Sequence, residues 1–203
     1  IIVATTTEAS DQELVDYCAQ KKILCYRGEK DNVLLRFIGA CERFHCDKII
    51  RVCSDNPFID IASVNKQLAL FIEDDSIDYC TYTTYDGTPI ILKPIGLFVE
   101  AVTFKALKRI TELASVPKYF EHVTMFIYEH PELFNIKKIP LDKSVNADYR
   151  FTIDYPEDIK FCEEIMKTNT DYSIKSILEL MEKNKVLSEQ NLQFSIANKK
   201  IYK

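Results

Sequence analysis

A rhythm constrains this chain more than any single residue. Short apolar runs alternate with amphipathic stretches from residue 1 to about residue 73. Residues 1–4 (IIVA), 23–26 (ILCY) and 48–53 (KIIRVC) read as strands, and residues 11–20, 32–44 and 61–73 as helices. Within 32–44, Val33, Leu34, Phe37, Ile38 and Cys41 recur at helical spacing, and Asp31 stands where an N-cap acid belongs. Strands separated by helices predict an α/β fold: a mostly parallel sheet flanked by helices on both faces and joined by right-handed crossovers.

After a further strand at 77–81 the rhythm changes. Tyr85-Asp86-Gly87-Thr88-Pro89 is a turn cluster that leads into a hairpin or a small antiparallel excursion. Strands are expected at 97–102, 136–139 and 150–153, and helices at 104–113, from Pro117 through 128, and at 156–166, where Pro156 suits a first turn. From Asp171 the chain reads as helical and then polar, ending in NKKIYK. That organisation suggests an α/β domain over 1–168 and a helical C-terminal appendage over 169–203.

Composition narrows the class of partner. The chain has 203 residues, 47% of them hydrophobic, which is enough for one good core. A net charge of -5 argues against a general surface for nucleic-acid polymers. No apolar run approaches the roughly 20 residues that cross a bilayer. The seven cysteines are odd in number and lack C-x-x-C spacing, which suits free thiols in a reducing cytoplasm. Cys41 and His45 could share a helix face near Cys46, but no second ligand pair at zinc-like spacing accompanies them.

In an open parallel sheet, ligands bind beyond the carboxyl ends of the strands. The residues there are Thr5-Thr6-Thr7, then Arg27-Gly28 running to Asp31, then Ser54-Asp55-Asn56-Pro57, and finally Asp154-Tyr155-Pro156-Glu157-Asp158. Asp55 and Asp154 each end an expected strand with a proline close behind. Two readings stay open for them. Each could be a turn or capping acid, or the two together could hold Mg²⁺, which favours a few carboxylates plus phosphate oxygens. Asp158, in a helix's first turn, is placed to favour the helix dipole, and His45 and His130 read as surface residues.

The stretches IVATTTEASD, YRGEKDNVLLRF, RVCSDNPFID, EHVTMFIYEHPELF and FTIDYPEDI, in that order, resemble the cytidylyltransferase family of spore-coat polysaccharide biosynthesis. More distantly they are similar to the enzymes that make CMP-activated acidic sugars. The resemblance implies a nucleotide-diphospho-sugar transferase-like fold and transfer of a cytidylyl group from CTP to a sugar hydroxyl, with pyrophosphate leaving. It implies that Asp55 and Asp154 form the magnesium site, and that Thr5, Thr6, Arg27, Gly28, Asp31 and Arg36 line the nucleotide side. Glu100, Glu121 and His122 would face the acceptor sugar, although Phe98 stands where the family often has an acid. Homodimers are common among the enzymes it resembles.

Those enzymes begin with a strand and a glycine-rich basic loop that cradles the triphosphate, and this sequence opens instead at Ile-Ile-Val. The expectation is therefore either a truncated enzyme or a catalytically empty relative. Two other functions remain open at this stage: a metal-dependent glycosyltransferase using a nucleotide-sugar, and a non-catalytic binding or scaffolding domain.

Overall fold

The computed structural model describes residues 1–169 and 171–197, so the NKKIYK end lies outside the described residues. In chain order the elements are β1 (Ile2–Thr6), α1 (Gln12–Lys21), β2 (Leu24–Gly28), α2 (Val33–Phe44), β3 (Lys48–Arg51) and α3 (Ile61–Glu73). They continue as β4 (Tyr79–Thr83), β5 (Glu100–Thr103), α4 (Phe104–Leu113), α5 (Lys118–Glu121), α6 (Met125–Glu129) and β6 (Ile136–Pro140). Helices α7 (Pro156–Thr168), α8 (Ile174–Lys183) and α9 (Lys185–Ala197) complete the described chain.

The expected sheet is present in two parts. β1 and β2 run parallel, with Ile2 opposite Leu24 and Thr6 opposite Gly28. The other sheet has the order β3-β5-β4-β6, so β1 and β3 each stand at the end of a sheet. The turn cluster makes the anticipated excursion, with an antiparallel bridge between Thr83 and Pro89. Gly87, at φ 84°, supplies its left-handed corner.

Three expected elements change. Asn32, rather than Asp31, caps α2, because its side chain accepts from the Leu35 N–H at 2.9 Å while Asp31 is exposed. The helix expected from Pro117 through 128 breaks into α5 and α6, with His122 at φ -98° and ψ 76° outside helical space. The segment 150–153 is not a strand. Its Phe151 and Ile153 N–H groups donate singly to the carbonyls of Pro94 (3.1 Å) and Asp55 (2.8 Å), which lie in loops and offer no ladder to extend.

The chain forms two compact units. The first comprises Ile1–Ile49, Ser76–Tyr79 and Val102–Asn135; the second comprises Ile50–Asp75, Cys80–Ala101 and the described residues of Ile136–Lys203. In the first, α2 packs on β1, β2, α4 and α5 through buried Leu34, Ile38 and Cys41, with Leu107 and Ile110 of α4 buried as well. The Tyr26 ring lies across Gly39, where a Cβ would sit 2.0 Å from the Tyr26 hydroxyl, so a glycine lets strand and helix meet there.

The second unit buries Phe58, Phe71, Phe151, Ile165 and Ile177, each side chain stabilising the fold by about 1.5–3 kcal/mol. Gln67, fully buried on α3, donates to the Cys80 carbonyl at 2.6 Å. Asp60 ties α8 to α3. It caps α3 by accepting from Ser63 N–H at 2.8 Å and also accepts from Ile174 N–H at 3.1 Å, where α8 begins. No helix among the described residues is long and apolar enough to cross a membrane.

Candidate active site

Two strand-end or loop acids come together in the second unit. β3 stops at Arg51, the chain turns through an Asn56 N–H bond to the Cys53 carbonyl at 3.3 Å, and Pro57 prevents the strand resuming. This leaves Asp55 half-buried, with Oδ1 buried and without a hydrogen-bond partner. Burial pushes its carboxyl above the ordinary range, against the pull of a backbone hydrogen bond at its own residue. The charge of Asp154 adds to the rise, and the Arg51 and Arg150 guanidiniums oppose it.

Asp154 is held by neighbours on its own segment. Arg150 Nη2 donates to Asp154 Oδ2, and Thr152 Oγ1 donates to the same oxygen at 2.8 Å. Arg150 also forks onto Asp158, with Nε to Oδ1 at 3.0 Å and Nη2 to Oδ2 at 3.1 Å. Asp158 Oδ2 in turn accepts the N–H groups of Asp154 and Tyr155, both at 2.9 Å. Arg150 is 2% exposed and Asp158 5% exposed, so Asp158 is a buried ion-pair partner as well as an acid in a helix's first turn.

Glu100 lies on β5, is 1% exposed, and pairs with Arg51 at the end of β3. Its carboxylate therefore fixes a guanidinium near Asp55 and does not face solvent. Among the described residues no three His, Cys, Asp or Glu side chains gather around a common point. The acid pair is thus a two-carboxylate set, which suits a hard cation that completes its shell with phosphate and water.

The first unit holds the residues implied for the nucleotide, and here Thr5, Thr6, Arg27 and Arg36 bond to neighbouring side chains and loop carbonyls. Asp11 Oδ2 accepts from Thr5 Oγ1 and Thr6 Oγ1 at 2.6 Å each and from Thr6 N–H at 2.9 Å, and these bonds draw its pKa down. Arg27 donates to the Thr6 and Glu8 carbonyls at 2.9 Å each and to Gln12 Oε1 at 2.8 Å, bracing the loop after β1. Arg36 Nη1 donates to the carbonyls of Glu29 (2.6 Å) and Lys30 (3.1 Å), while its Nε is buried and without a partner. Gly28 is where β2 meets this arginine, since a Cβ would lie 2.8 Å from the Tyr26 ring and 3.2 Å from Arg36 Cγ. Asp31, Glu121 and His122 are exposed, the last two at the break between α5 and α6. His45 is also exposed, but His130 is half-buried against Phe126, with ring centroids 4.4 Å apart.

Arg51, Asp11 and Arg150 were not singled out from the sequence. For Arg150 a signal existed: Arg150, Asp154 and Asp158 are spaced four apart across a turn and a helix start.

Solved structures share this frame. A cytidylyltransferase from Leptospira borgpetersenii aligns with a TM-score of 0.82 at 22% identity, covering 92% of this chain and 77% of that one. CMP:2-keto-3-deoxy-manno-octonic acid synthetase, solved in complex with CTP, aligns with a TM-score of 0.55 at 12% identity over 81% and 79%. The fold is thus the Rossmann-like α/β fold of nucleotidyltransferases. Sequence relatives include the uncharacterised protein MJ1063 of Methanocaldococcus jannaschii, 33% identical over 94% of this chain and 76% of that protein. The Bacillus subtilis spore coat polysaccharide biosynthesis protein SpsF is 28% identical over 91% of this chain and 75% of its own length. The cytidylyltransferase family model matches residues 1–200, and the chain belongs to that family.

Proposed function

We propose that this protein transfers a cytidylyl group from CTP to the hydroxyl of a sugar, releasing pyrophosphate, with Mg²⁺ held by Asp55 and Asp154. The observation that carries the reading is the Asp55 carboxylate, whose buried, partnerless oxygen lies within electrostatic reach of a second carboxylate. Leaving such an atom unsatisfied costs about 1–3 kcal/mol, and a cation ligated there removes that penalty. The names of the relatives support the same direction, since one acts in spore coat polysaccharide biosynthesis and one was solved with CTP.

In this reaction a bond forms between the acceptor oxygen and the α-phosphorus as the bond to the pyrophosphate oxygen breaks, and the hydroxyl proton passes to solvent or to the departing pyrophosphate. When bound, the cation supplies Lewis-acid stabilisation of the charge that gathers on the phosphate oxygens. The chain's own residues prepare the place. Arg51, paired with Glu100, and Arg150, paired with Asp158, place positive charge that opposes the rise in the Asp55 pKa. No covalent nucleophile is needed, because positioning and electrostatics carry phosphoryl transfer.

The test is pyrophosphate release by the full-length protein with CTP, Mg²⁺ and a panel of sugars. Turnover should require both metal and acceptor, and Asp55→Asn or Asp154→Asn should lower it by at least ~100-fold with the fold retained. Unchanged activity in either variant removes that residue from the metal site. Release of free nucleoside diphosphate in place of pyrophosphate would assign glycosyl transfer instead.

A further inference from the structure

Helix α9 reaches the acid that the proposed function assigns to the metal, by way of Arg150. Asn191 on α9 is 4% exposed and makes a two-bond clasp with the Arg150 backbone: it accepts from Arg150 N–H at 2.9 Å and donates to the Arg150 carbonyl at 2.7 Å. Tyr155 and Phe194 lie beside the Arg150 guanidinium, which is 5.3 Å and 5.7 Å from their ring centroids. The arginine is thus fixed at its backbone by a buried amide and flanked by two rings.

From that fixed point the guanidinium divides its charge between Asp158, buried, and Asp154, one-third exposed. Arg150 and Thr152 converge on Oδ2 of Asp154, and Asp158 holds the Asp154 N–H. Two donors on one oxygen and a held backbone determine the side-chain rotamer, and the direction of the carboxylate follows. In the trio one arginine faces two aspartates.

We infer that Arg150 is a positioning residue for the acid Asp154, anchored by Asn191, and that α9 is therefore part of the support of the metal site. This rests on the reading of Asp154 as a metal ligand. Residues that orient a metal ligand from behind are worth about 10–100-fold in metal affinity when altered. A merely structural arginine would lower thermal stability and leave the metal affinity of the folded protein unchanged.

Mn²⁺, as a paramagnetic probe, would be titrated into the full-length protein with CTP present, alongside CTP binding measured in EDTA. Arg150→Lys, which keeps the charge and loses the fork, should weaken Mn²⁺ by about 10–100-fold. CTP binding without metal should stay within about twofold. Should that variant fail to fold, Thr152→Val removes the second donor to Asp154 Oδ2 at nearly constant shape, and should weaken Mn²⁺ by about 10-fold. Asn191→Leu should move Mn²⁺ affinity in the same direction as Arg150→Lys, with a smaller change. Unaltered Mn²⁺ affinity in folded Arg150→Lys or Thr152→Val overturns the inference. Asp154→Asn separates the two layers of the claim: if it too leaves Mn²⁺ binding unchanged, Asp154 is not a ligand and the metal assignment falls with the inference.

Discussion

A buried carboxylate oxygen without a hydrogen bond raises the free energy of the native state, and Asp55 Oδ1 is in that position. Because burial lifts the Asp55 pKa above its ordinary value, the folded protein holds this proton more tightly than the unfolded chain does. The stability it contributes is complete below the unfolded pKa and is lost as pH rises through the folded one. At neutral pH, therefore, the ionised side chain is a cost in the metal-free protein. Asp55→Asn should raise the melting temperature in EDTA at pH 7 by ~2–4 °C, the shift that about 1 kcal/mol gives in a domain of this size. The gain should disappear near pH 3, where both proteins are neutral at this position. Calorimetry at the two pH values checks this, and a lower melting point for the variant at pH 7 would mean that the carboxylate has stabilising partners in the fold. Sites that trade stability for chemistry behave this way, and the same substitution is the one expected to abolish turnover. Arg150 stands at the opposite extreme: it is almost fully buried, and its donors meet two carboxylates.

Helix ends in this protein are set by single side chains, and one of them serves two helices. Asp60 accepts from Ser63 N–H on α3 and from Ile174 N–H on α8 while 2% exposed. Asp60→Ala removes a cap and leaves two N–H groups short of an acceptor, so it should destabilise the protein by about 2–4 kcal/mol in urea unfolding. Asp60→Asn, which keeps an acceptor, should cost under about 1.5 kcal/mol. A loss below about 1 kcal/mol in the alanine variant would show that α8 does not depend on this bond. The interaction joins residues 114 positions apart, and no local pattern announces such a pairing. Elements whose ends are written in their own side chains were legible: α3 and α4 have the expected ends, because Asp60 and Thr103 cap them, although the buried face of α3 includes Gln67 beside Phe71. The segment 150–153 was misread because its apolar alternation is satisfied by burial of Phe151 under loops, not by a neighbouring strand. Asp55 and Asp154 stand out in the sequence through turn chemistry and order along the chain, and the structure places them within electrostatic reach of each other. Arg150 and Arg51 do not stand out, since an arginine's meaning depends on which carboxylates the fold brings to it.

At the scale of the molecule, the chain passes from one compact unit to the other five times, at Ile49, Asp75, Tyr79, Ala101 and Asn135. Three of those junctions fall inside strands β3, β4 and β5. A unit assembled from discontinuous segments cannot finish folding until the intervening chain has folded. The protein should therefore unfold as one cooperative body. Far-ultraviolet circular dichroism, which follows the helices of both units, and tyrosine fluorescence should give coincident urea transitions with one midpoint. Addition of CTP with Mg²⁺ should shift that midpoint as a whole, because a ligand that binds only the native state stabilises everything that unfolds with it. Two separated transitions, with only one moved by CTP and Mg²⁺, would show that the units are independent and would confine the ligand's contacts to the unit that moved. A single transition that both probes share and the nucleotide displaces would make the acid site a property of the entire fold, so that a change far from Asp55, such as Asp60→Ala, lowers the population of active protein without touching the chemistry.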